Sequence, residues 1–328
     1  MPRNVVAAIV FGLAVASWLG VTASAHAQSI YWTDVGALSG TSFIRSANAD
    51  GSGVQTVVSG LTQPRGMALD VASQQMYFAG LGAGAIQVAN MDGSGTVQSV
   101  VPVGTAGGGV AVDAADGKIY WTNGDAIQLA NGGLSGEIQR ANLDGSNPQT
   151  LVTGLVHPGG FAIDTLDGKV YWTELGGPAN SLEKLQSSNL DGSNVQTILT
   201  GLGQAYGLAV DAPDGKLFWT DTTTHSIESA NLDGSGLHAV VMGLENPTTL
   251  ALDLSAGKIY WTSSESQQAS YVASANLDGS DIQTLVSGVG EPWGIAVVPE
   301  PSAFALGVLG ALSLLVLRCG ISQKHSAA

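Results

Sequence analysis

One short aromatic motif recurs six times along this chain of 328 residues. Its fullest form is Gly-Lys-Ile-Tyr-Trp-Thr at residues 117–122, and weaker copies occur at residues 30–34 and 76–79. Neighbouring copies lie 42 to 51 residues apart, as judged from their first aromatic residues: Tyr31, Tyr77, Tyr120, Tyr171, Phe218 and Tyr260. A repeat of this length is typical of a β-propeller, in which each repeat forms one four-stranded blade.

A single copy illustrates the predicted blade. A short apolar first strand leads through an Asp-Gly turn at residues 116–117 into an aromatic and β-branched second strand at 118–122. The third strand, 136–143, and the fourth strand, 148–152, are joined by the turn Asp-Gly-Ser at 144–146. The other five copies contain the same Asp-Gly-Ser turn, so we expect six blades of one design.

The first strands predict how the blades pack. Large apolar residues such as Val110 and Val112 occupy alternate positions, and a small alanine lies between them in all six copies. Side chains alternate between the two faces of a strand. Each blade should therefore have a bulky face and a small face, and stacking should place bulk against alanine.

The two ends of the repeat region complete one another. The chain enters at Ile30 with a second strand that has no first strand before it, and the last first strand, 292–297, has no second strand after it. Pairing residues 30–33 with 294–297 would close the ring and remove open sheet edges. We therefore predict an all-β fold, a six-bladed β-propeller of four-stranded blades closed by pairing of the N-terminal and C-terminal strands.

The Tyr-Trp-Thr-Asp sequence at 31–34, its later variants and the Asn-Leu-Asp-Gly-Ser turns resemble the YWTD repeats (class B repeats) of the low-density lipoprotein receptor family. The resemblance covers residues 30–297 and implies a propeller that acts as a binding and scaffold module, not as an enzyme. In that family the fourth-position Asp is structural. Because Gly80 and Ser263 replace it here, weaker hydrogen bonding between blades is expected at both. The Cys-rich modules that flank the family's propellers are absent, so receptor-style uptake does not carry over.

Both ends of the chain carry sorting patterns. Residues 1–27 combine a basic start, an apolar run and an Ala-His-Ala cleavage site, which predicts a secretory signal peptide before a propeller at 28–298. Residues 299–328 contain Pro-Glu-Pro, an apolar run at 303–317 and Arg318, and they resemble the PEP-CTERM sorting signal of bacterial exported proteins. That resemblance implies an exosortase-type processing enzyme and delivery to the cell surface or extracellular matrix. Retention in the membrane through residues 303–317 is the alternative.

The charge balance narrows the range of partners. The chain has 26 acidic and 11 basic residues and a net charge of −15. This charge disfavours nucleic acid and anionic membrane surfaces as partners, and it permits cationic partners, metal ions or neutral glycans. The single cysteine, Cys319, lies in the tail, so no disulfide framework exists in the repeats. A monomeric ring stabilised by packing and closure is expected.

The variable loops indicate where function lies. In a propeller the second-to-third loops and the crossovers between blades share one end, here termed the crossover face, and the hairpin turns share the other end, the hairpin face. Loops on a rigid scaffold usually carry function, and the second-to-third loops of this chain differ in length. The residue before each first-strand glycine should line the channel mouth on the crossover face: Arg65, Gly108, Gly159, Tyr206, Thr248 and Trp293.

The predicted ligand-binding residues come from this face. Arg65, Tyr206 and Trp293 are residue types that commonly anchor interfaces, although each could serve only to pack one blade on the next. The set is completed by the crossover residue His157 and by three residues that begin second-to-third loops: Asn123, Glu174 and Asp221.

Carboxylates at the ends of the first strands raise the question of a metal. Five of these strands end in Asp, at 70, 113, 164, 211 and 253, and a ring of carboxylates could bind Ca²⁺. The favoured interpretation is that each Asp hydrogen-bonds the backbone of its own turn. The histidines are isolated in sequence and no Gly-x-Ser-x-Gly elbow occurs. No catalytic residue, metal ligand or cofactor is therefore predicted.

Two classes of function remain. The favoured hypothesis is an exported surface or matrix module that binds a cell-envelope protein or exopolysaccharide through the crossover face. The alternative is an enzyme, a metal-dependent lactonase-like hydrolase or a lyase, acting at the channel mouth. The enzyme hypothesis requires carboxylates or histidines that converge at the channel mouth. A third hypothesis is a passive matrix component without a specific ligand.

Overall fold

A computed structural model describes residues 28–36, 41–80, 82–102, 106–124, 136–176, 183–264 and 270–299. The predicted signal peptide at 1–27 and the predicted tail from residue 300 onward lie outside the described residues. Strands, turns and loops make up the described part of the chain. It contains no helix, and therefore none that could cross a membrane.

The fold consists of 24 strands in six antiparallel sheets of four. In chain order they are β1 (Ser29–Val35), β2 (Ser42–Asn48), β3 (Gln55–Leu61), β4 (Pro64–Asp70), β5 (Gln75–Gly80), β6 (Ala85–Asn90), β7 (Gln98–Pro102), β8 (Ala106–Asp113), β9 (Lys118–Asn123), β10 (Gly136–Asn142), β11 (Gln149–Leu155), β12 (Pro158–Asp164), β13 (Lys169–Glu174), β14 (Lys184–Asn189), β15 (Gln196–Thr200), β16 (Ala205–Asp211), β17 (Lys216–Asp221), β18 (Ser226–Asn231), β19 (His238–Met242), β20 (Pro247–Asp253), β21 (Lys258–Ser263), β22 (Tyr271–Asn276), β23 (Gln283–Ser287) and β24 (Glu291–Val298). Blades 1 to 5 are β4–β7, β8–β11, β12–β15, β16–β19 and β20–β23.

Blade 6 is built from both ends of the repeat region, in the strand order β24-β1-β2-β3. Ile30 pairs with Val297 and Tyr31 pairs with Ala296, so the predicted closure is confirmed. The first strands form the inner layer, in which β4, β8, β12, β16, β20 and β24 contact one another in turn and β24 contacts β4 again. The all-β, six-bladed propeller predicted from the sequence is confirmed.

The aromatic motif joins each blade to both of its neighbours. Trp172 is fully buried between blades 2 and 3, where it packs with Phe161 and Ile138. The adjacent Tyr171 points to the other side and packs with Leu208 of blade 4. Successive residues of a strand face opposite sides of the sheet, so one dipeptide contributes to two interfaces. The other five copies show the same division.

The first-strand alanines also lie where the sequence predicted. Ala111 packs between blades 2 and 3 beside Phe161, whereas Val110 packs between blades 1 and 2 beside Tyr77. The core is thus a set of six clusters, one at each interface between blades, and stability comes from packing between neighbours.

The Asp-Gly-Ser turns bring successive blades into close contact on the hairpin face. Gly145 has φ of +81°, and a Cβ atom there would lie 2.1 Å from the carbonyl oxygen of Val100 in the preceding blade. The corresponding glycines of the other five turns face the fourth strand of the preceding blade in the same way: Gly51, Gly93, Gly192, Gly234 and Gly279. Glycine is required here both by its positive φ and by the lack of space for a side chain.

Candidate functional site

Each inner strand has an irregularity in register near its start. In blade 4, Ala205 pairs with Asp221 and Leu208 pairs with Trp219, so that Tyr206 and Gly207 lie opposite a single residue of β17. A bulge of this kind bends the strand and re-aims a side chain. The inner strands therefore begin earlier than the predicted glycine positions, and the residue before each glycine is part of the bulge.

The threonine of the aromatic motif stabilises the bulge. The amide of Gly207 donates a hydrogen bond to Oγ1 of Thr220 at 2.8 Å, and Thr220 donates to the carbonyl oxygen of Thr248 in blade 5 at 3.1 Å. Equivalent amide-to-threonine bonds join Gly109 to Thr122, Gly160 to Thr173 and Gly294 to Thr33. Blade 1 has Ala79 at this position and cannot form the bond.

The bulges surround a cavity of about 480 Å³ on the crossover face. It is lined by the residue that precedes the first-strand glycine, or its equivalent, in all six blades: Arg65, Gly108, Gly159, Tyr206, Thr248 and Trp293. Four of the seven predicted ligand-binding residues line this cavity, namely Arg65, His157, Tyr206 and Trp293.

Three long side chains meet at this cavity from different blades. The guanidinium carbon of Arg65 in blade 1 lies 4.3 Å from the ring centroid of Trp293 in blade 6, a cation–π contact. Tyr206 of blade 4 meets the same indole edge-on, with ring centroids 6.2 Å apart and an interplanar angle of 77°. Blades 4 and 6 are not neighbours. Tyr206 and Trp293 therefore approach one another past blade 5, which contributes the small residue Thr248.

The two basic side chains of the cavity are partly withdrawn from water. Burial lowers the pKa of Arg65 from its ordinary value. Burial also lowers the pKa of His157, and the nearby positive charge of Arg65 lowers that pKa further, which favours a neutral imidazole at neutral pH. Arg65 forms neither a hydrogen bond nor an ion pair with any residue that the structure describes. The charge of Glu291 acts on Arg65 only at longer range and partly offsets the effect of burial. The cavity thus offers a positive charge with no contacting anion beside two aromatic rings.

The other three predicted binding residues do not line the cavity. The buried carboxylate of Glu174 accepts a hydrogen bond from the amide of Val156 at 2.7 Å, and the buried carboxylate of Asp221 accepts one from the amide of Gly203 at 2.8 Å. Both bonds fix the crossover that enters the residue's own blade, which gives these side chains a structural role. Asn123 ends β9 and pairs through its backbone with Glu137.

A crossover bond of the opposite direction forms at one of the two expected weak points. The hydroxyl of Ser263 donates a hydrogen bond to the carbonyl oxygen of Glu245 in the crossover before blade 5. Gly80 has no side chain, and the crossover before blade 1 is held instead by a backbone bond from Gly82 to Thr62 at 3.3 Å. The expected weakness therefore applies to blade 1 and not to blade 5.

Several cavity residues were not singled out from the sequence. Leu175 lies one residue beyond the second strand of blade 3, and Thr249 lies one residue beyond the predicted mouth position in blade 5. Both follow positions that were identified by the repeat, so extending the alignment of the six copies by one residue would have found them. Their contribution is apolar surface and one hydroxyl.

The ring of first-strand carboxylates lies on the hairpin face, away from the cavity. Asp211 accepts a hydrogen bond from the amide of Asp214 at 3.1 Å, and Asp253 accepts bonds from the amides of Ser255 and Ala256 at 2.9 and 3.1 Å. The other three make the same kind of contact with their turns: Asp70, Asp113 and Asp164. The prediction that each Asp caps its own turn is confirmed.

The described lining of the cavity does not provide the side chains that a metal-dependent hydrolase requires. Its described lining contains one histidine, His157, and no Asp, Glu or Cys. Across the described ranges, no group of three or more such residues converges. His225 and His238 are exposed and bond to backbone carbonyls outside the cavity. Among the residues that the structure describes, the enzyme hypothesis thus finds no ligand set or acid–base pair at the channel mouth.

Comparison with known proteins identifies the repeat class. Residues 215–254 and 257–297 match the family model of the low-density lipoprotein receptor repeat class B. The chain is 28% identical to the protein cueball of Drosophila erecta over 113 residues, which are 33% of this chain and 16% of cueball. It is 30% identical to low-density lipoprotein receptor-related protein 5-like protein of Homo sapiens over 145 residues, 44% of this chain and 53% of that relative. The chain therefore spans only a part of the curated relatives that it matches.

Solved structures show the same fold at lower identity. The structure of a nidogen/laminin complex superposes with a TM-score of 0.69 and 21% identity, covering 82% of this chain and 98% of the matched chain. A gluconolactonase from Xanthomonas campestris superposes with a TM-score of 0.57 and 19% identity, covering 74% of this chain and 84% of that chain. At these identities the likeness concerns the propeller fold alone. The chain is a six-bladed β-propeller, and its repeats at 215–254 and 257–297 match the class B model.

Proposed function

We propose that this chain is a non-enzymatic protein-binding module that is exported and displayed at the cell surface or in the extracellular matrix. The observation that carries the proposal is the cluster of Arg65, Tyr206 and Trp293 at the cavity of the crossover face. The motif tryptophans are fully buried between blades, as Trp219 illustrates. Trp293 and Tyr206 instead remain partly exposed.

Residue type supports a role in binding. Trp, Tyr and Arg dominate the residues that contribute most to protein interfaces, and they do so in pockets near the centre of the contact. The class B repeats are shared with receptor-related proteins, and the nidogen structure is that of a complex with laminin. We extend a protein ligand from those relatives to this chain as part of the proposal.

The sorting patterns at the two ends of the chain indicate where the protein is delivered. In this proposal residues 1–27 direct export, residues 28–298 form the binding domain, and the tail at 299–328 is recognised by an exosortase-type enzyme. The partner is then a protein of the cell envelope. An exopolysaccharide is the other partner considered from the sequence, and the experiment below separates the two.

The test measures retention of fractionated envelope proteins and exopolysaccharide on immobilised full-length protein. We expect saturable retention of one protein, and at least a tenfold higher Kd for the double variant Tyr206→Ala/Trp293→Ala. A matched control, Leu166→Ser/Leu254→Ser, alters two exposed residues of the hairpin face and should bind as the wild type does. Retention of polysaccharide only, or equal binding by both variants, would contradict the proposal.

A further inference from the structure

We propose that the rim of the cavity binds an acidic side chain, Asp or Glu, of a polypeptide partner, and that Arg65 is the group that receives the carboxylate. This inference rests on the proposed function, because it assigns the chemistry of the ligand at the same site. It concerns the local positive charge of the cavity, which is opposite in sign to the net charge of −15 of the whole chain.

The first argument is that the donors of Arg65 are unused. A guanidinium has five N–H donors in one plane. Arg65 contacts the ring of Trp293 at 4.3 Å, and no described residue accepts a hydrogen bond from it or forms an ion pair with it. Glu291 acts on its charge only at longer range. Stacking on an aromatic ring occupies a face of the guanidinium and leaves its edges available. A carboxylate can accept two parallel hydrogen bonds from such an edge.

The second argument is that Arg65 differs from the two cations that pair with carboxylates at the ends of second strands. Arg45 lies 2.8 Å from the buried carboxylate of Asp34, and Lys184 lies 3.5 Å from the buried carboxylate of Glu174. Those cations neutralise carboxylates inside their own blades. Arg65 projects instead into a cavity whose described lining contains no carboxylate, and the nearby Glu291 forms no ion pair with it, so the donors of the guanidinium remain available.

The third argument concerns solvation. Burial lowers the pKa of Arg65, and Tyr206 and Glu291 offset that effect only in part, which indicates that its charged form has lost hydration that no contacting anion replaces. A carboxylate would supply the missing stabilisation. Neutral His157 adds a ring nitrogen without adding a second charge. At physiological ionic strength the Debye length is about 8 Å, so the many distant carboxylates of the surface are largely screened from this site.

The geometry favours a side chain over an acidic sugar. A sugar ring usually lies flat on an open aromatic face, but the guanidinium of Arg65 covers the indole of Trp293. Tyr206 stands at 77° to that indole, so the two rings do not form a flat platform. The remaining lining is mainly glycine and aliphatic, which suits a narrow side chain that enters end-on.

The experiment titrates ¹⁵N-labelled full-length protein with three small compounds and follows the indole N–H signal of Trp293, which Trp293→Phe identifies by its loss. The compounds are N-acetyl-aspartate amide, N-acetyl-asparagine amide and glucuronate. We expect saturable shifts with the aspartate compound and a Kd at least tenfold lower than for the asparagine compound. Arg65→Met retains an unbranched apolar side chain and should abolish this preference, whereas Arg65→Lys should retain part of it.

Each outcome has a defined meaning. Equal affinity for the aspartate and asparagine compounds in the wild type would overturn the inference without the need for any variant. Glucuronate that binds as tightly as the aspartate compound would overturn the assignment to a polypeptide. If no compound shifts Trp293 while the envelope protein is still retained, the inference fails and the proposed function stands. If that protein is not retained either, both fail.

Discussion

The amide nitrogen of Gly207 lies 2.8 Å from the hydroxyl oxygen of Thr220, and this bond closes the backbone bulge that brings Tyr206 to the cavity. The same hydroxyl donates to the carbonyl of Thr248 in the next blade at 3.1 Å. A single threonine of the aromatic motif therefore stabilises an irregular strand within one blade and connects that strand to its neighbour. Both bonds are buried, so their loss leaves polar groups without water.

Replacing this threonine should destabilise the protein. Thr220→Val keeps the shape of the side chain but removes both hydrogen bonds, and we expect a loss of about 1–3 kcal/mol in the free energy of unfolding. Urea denaturation followed by circular dichroism measures it. Thr153→Val, at an exposed position of the outer strand β11, is the matched control and should change stability little. Equal effects of the two substitutions would refute the assigned role.

Restoring the missing hydroxyl in blade 1 should have the opposite effect. Ala79 is buried at the position that threonine occupies in the other five blades. Ala79→Thr supplies an acceptor for the amide of Gly66, and we expect a gain of about 1 kcal/mol, seen as a higher Tm in calorimetry. Ala79→Val adds the same bulk without the hydroxyl. A gain with valine as large as that with threonine would attribute the effect to packing alone.

The glycines of the two hairpin types should differ in their tolerance of a side chain. Gly117 and Gly145 both have positive φ, but a Cβ atom at Gly117 meets nothing within 4 Å. Gly117→Ala should therefore cost only the backbone term of about 1 kcal/mol. Gly145→Ala should cost about 1–3 kcal/mol more because the methyl group collides with blade 1. Similar Tm values for the two variants would contradict the close contact between blades.

The Asp-Gly-Ser turns should make stability depend on pH in the acid range. The Ser235 hydroxyl, and then its amide, hold the pKa of Asp233 below its ordinary value, with bonds of 2.6 and 2.9 Å. A depressed folded-state pKa contributes stability above the unfolded pKa, and that stability is lost as pH falls through the folded value. The other five turns have the same arrangement.

The corresponding measurement is Tm against pH for the wild type and Asp233→Asn. We expect the wild type to be more stable above pH 5, and the two curves to converge as pH falls below about 4. Ser235→Ala, which removes the principal hydrogen-bond donor, should also reduce the difference. A constant separation at all pH values would exclude ionisation of Asp233 as the cause.

The ends of the propeller lie on the side opposite the cavity. Ser29 pairs with Val298, and the side chain of Gln28 donates a hydrogen bond to Asp253 on the hairpin face. Asp253 is five residues along β20 from Thr248 at the cavity, a distance of about 17 Å. A bulky tag fused directly to residue 28 or to residue 298 should leave partner binding unchanged. The same tag inserted into the exposed loop at residues 222–225 should block it, as measured by retention of the partner.

Much of this architecture follows from local sequence rules. The six aromatic dipeptides of the repeated motif determined the number of blades, because each dipeptide contributes to two interfaces and requires a neighbouring blade on both sides. The unpaired half-blades at Ile30 and Ile295 determined the closure. The Asp-Gly-Ser turns were identifiable because positive φ and a capping carboxylate are properties of a few adjacent residues.

The tertiary structure decided which candidate residues meet. Arg65, Tyr206 and Trp293 are up to 228 positions apart, and only the closed ring and its bulges bring them to one cavity. In the sequence, Glu174 and Asp221 were as plausible as ligand-binding residues as the three side chains that meet at the cavity. In the structure both carboxylates turn inward and hydrogen-bond a crossover instead. Sequence patterns report which face of a strand a residue occupies. A bulge adds one residue to a strand, so the residues beyond it face the opposite side of the sheet. Which side chains face the channel mouth therefore depends on the register of strand pairing within each blade.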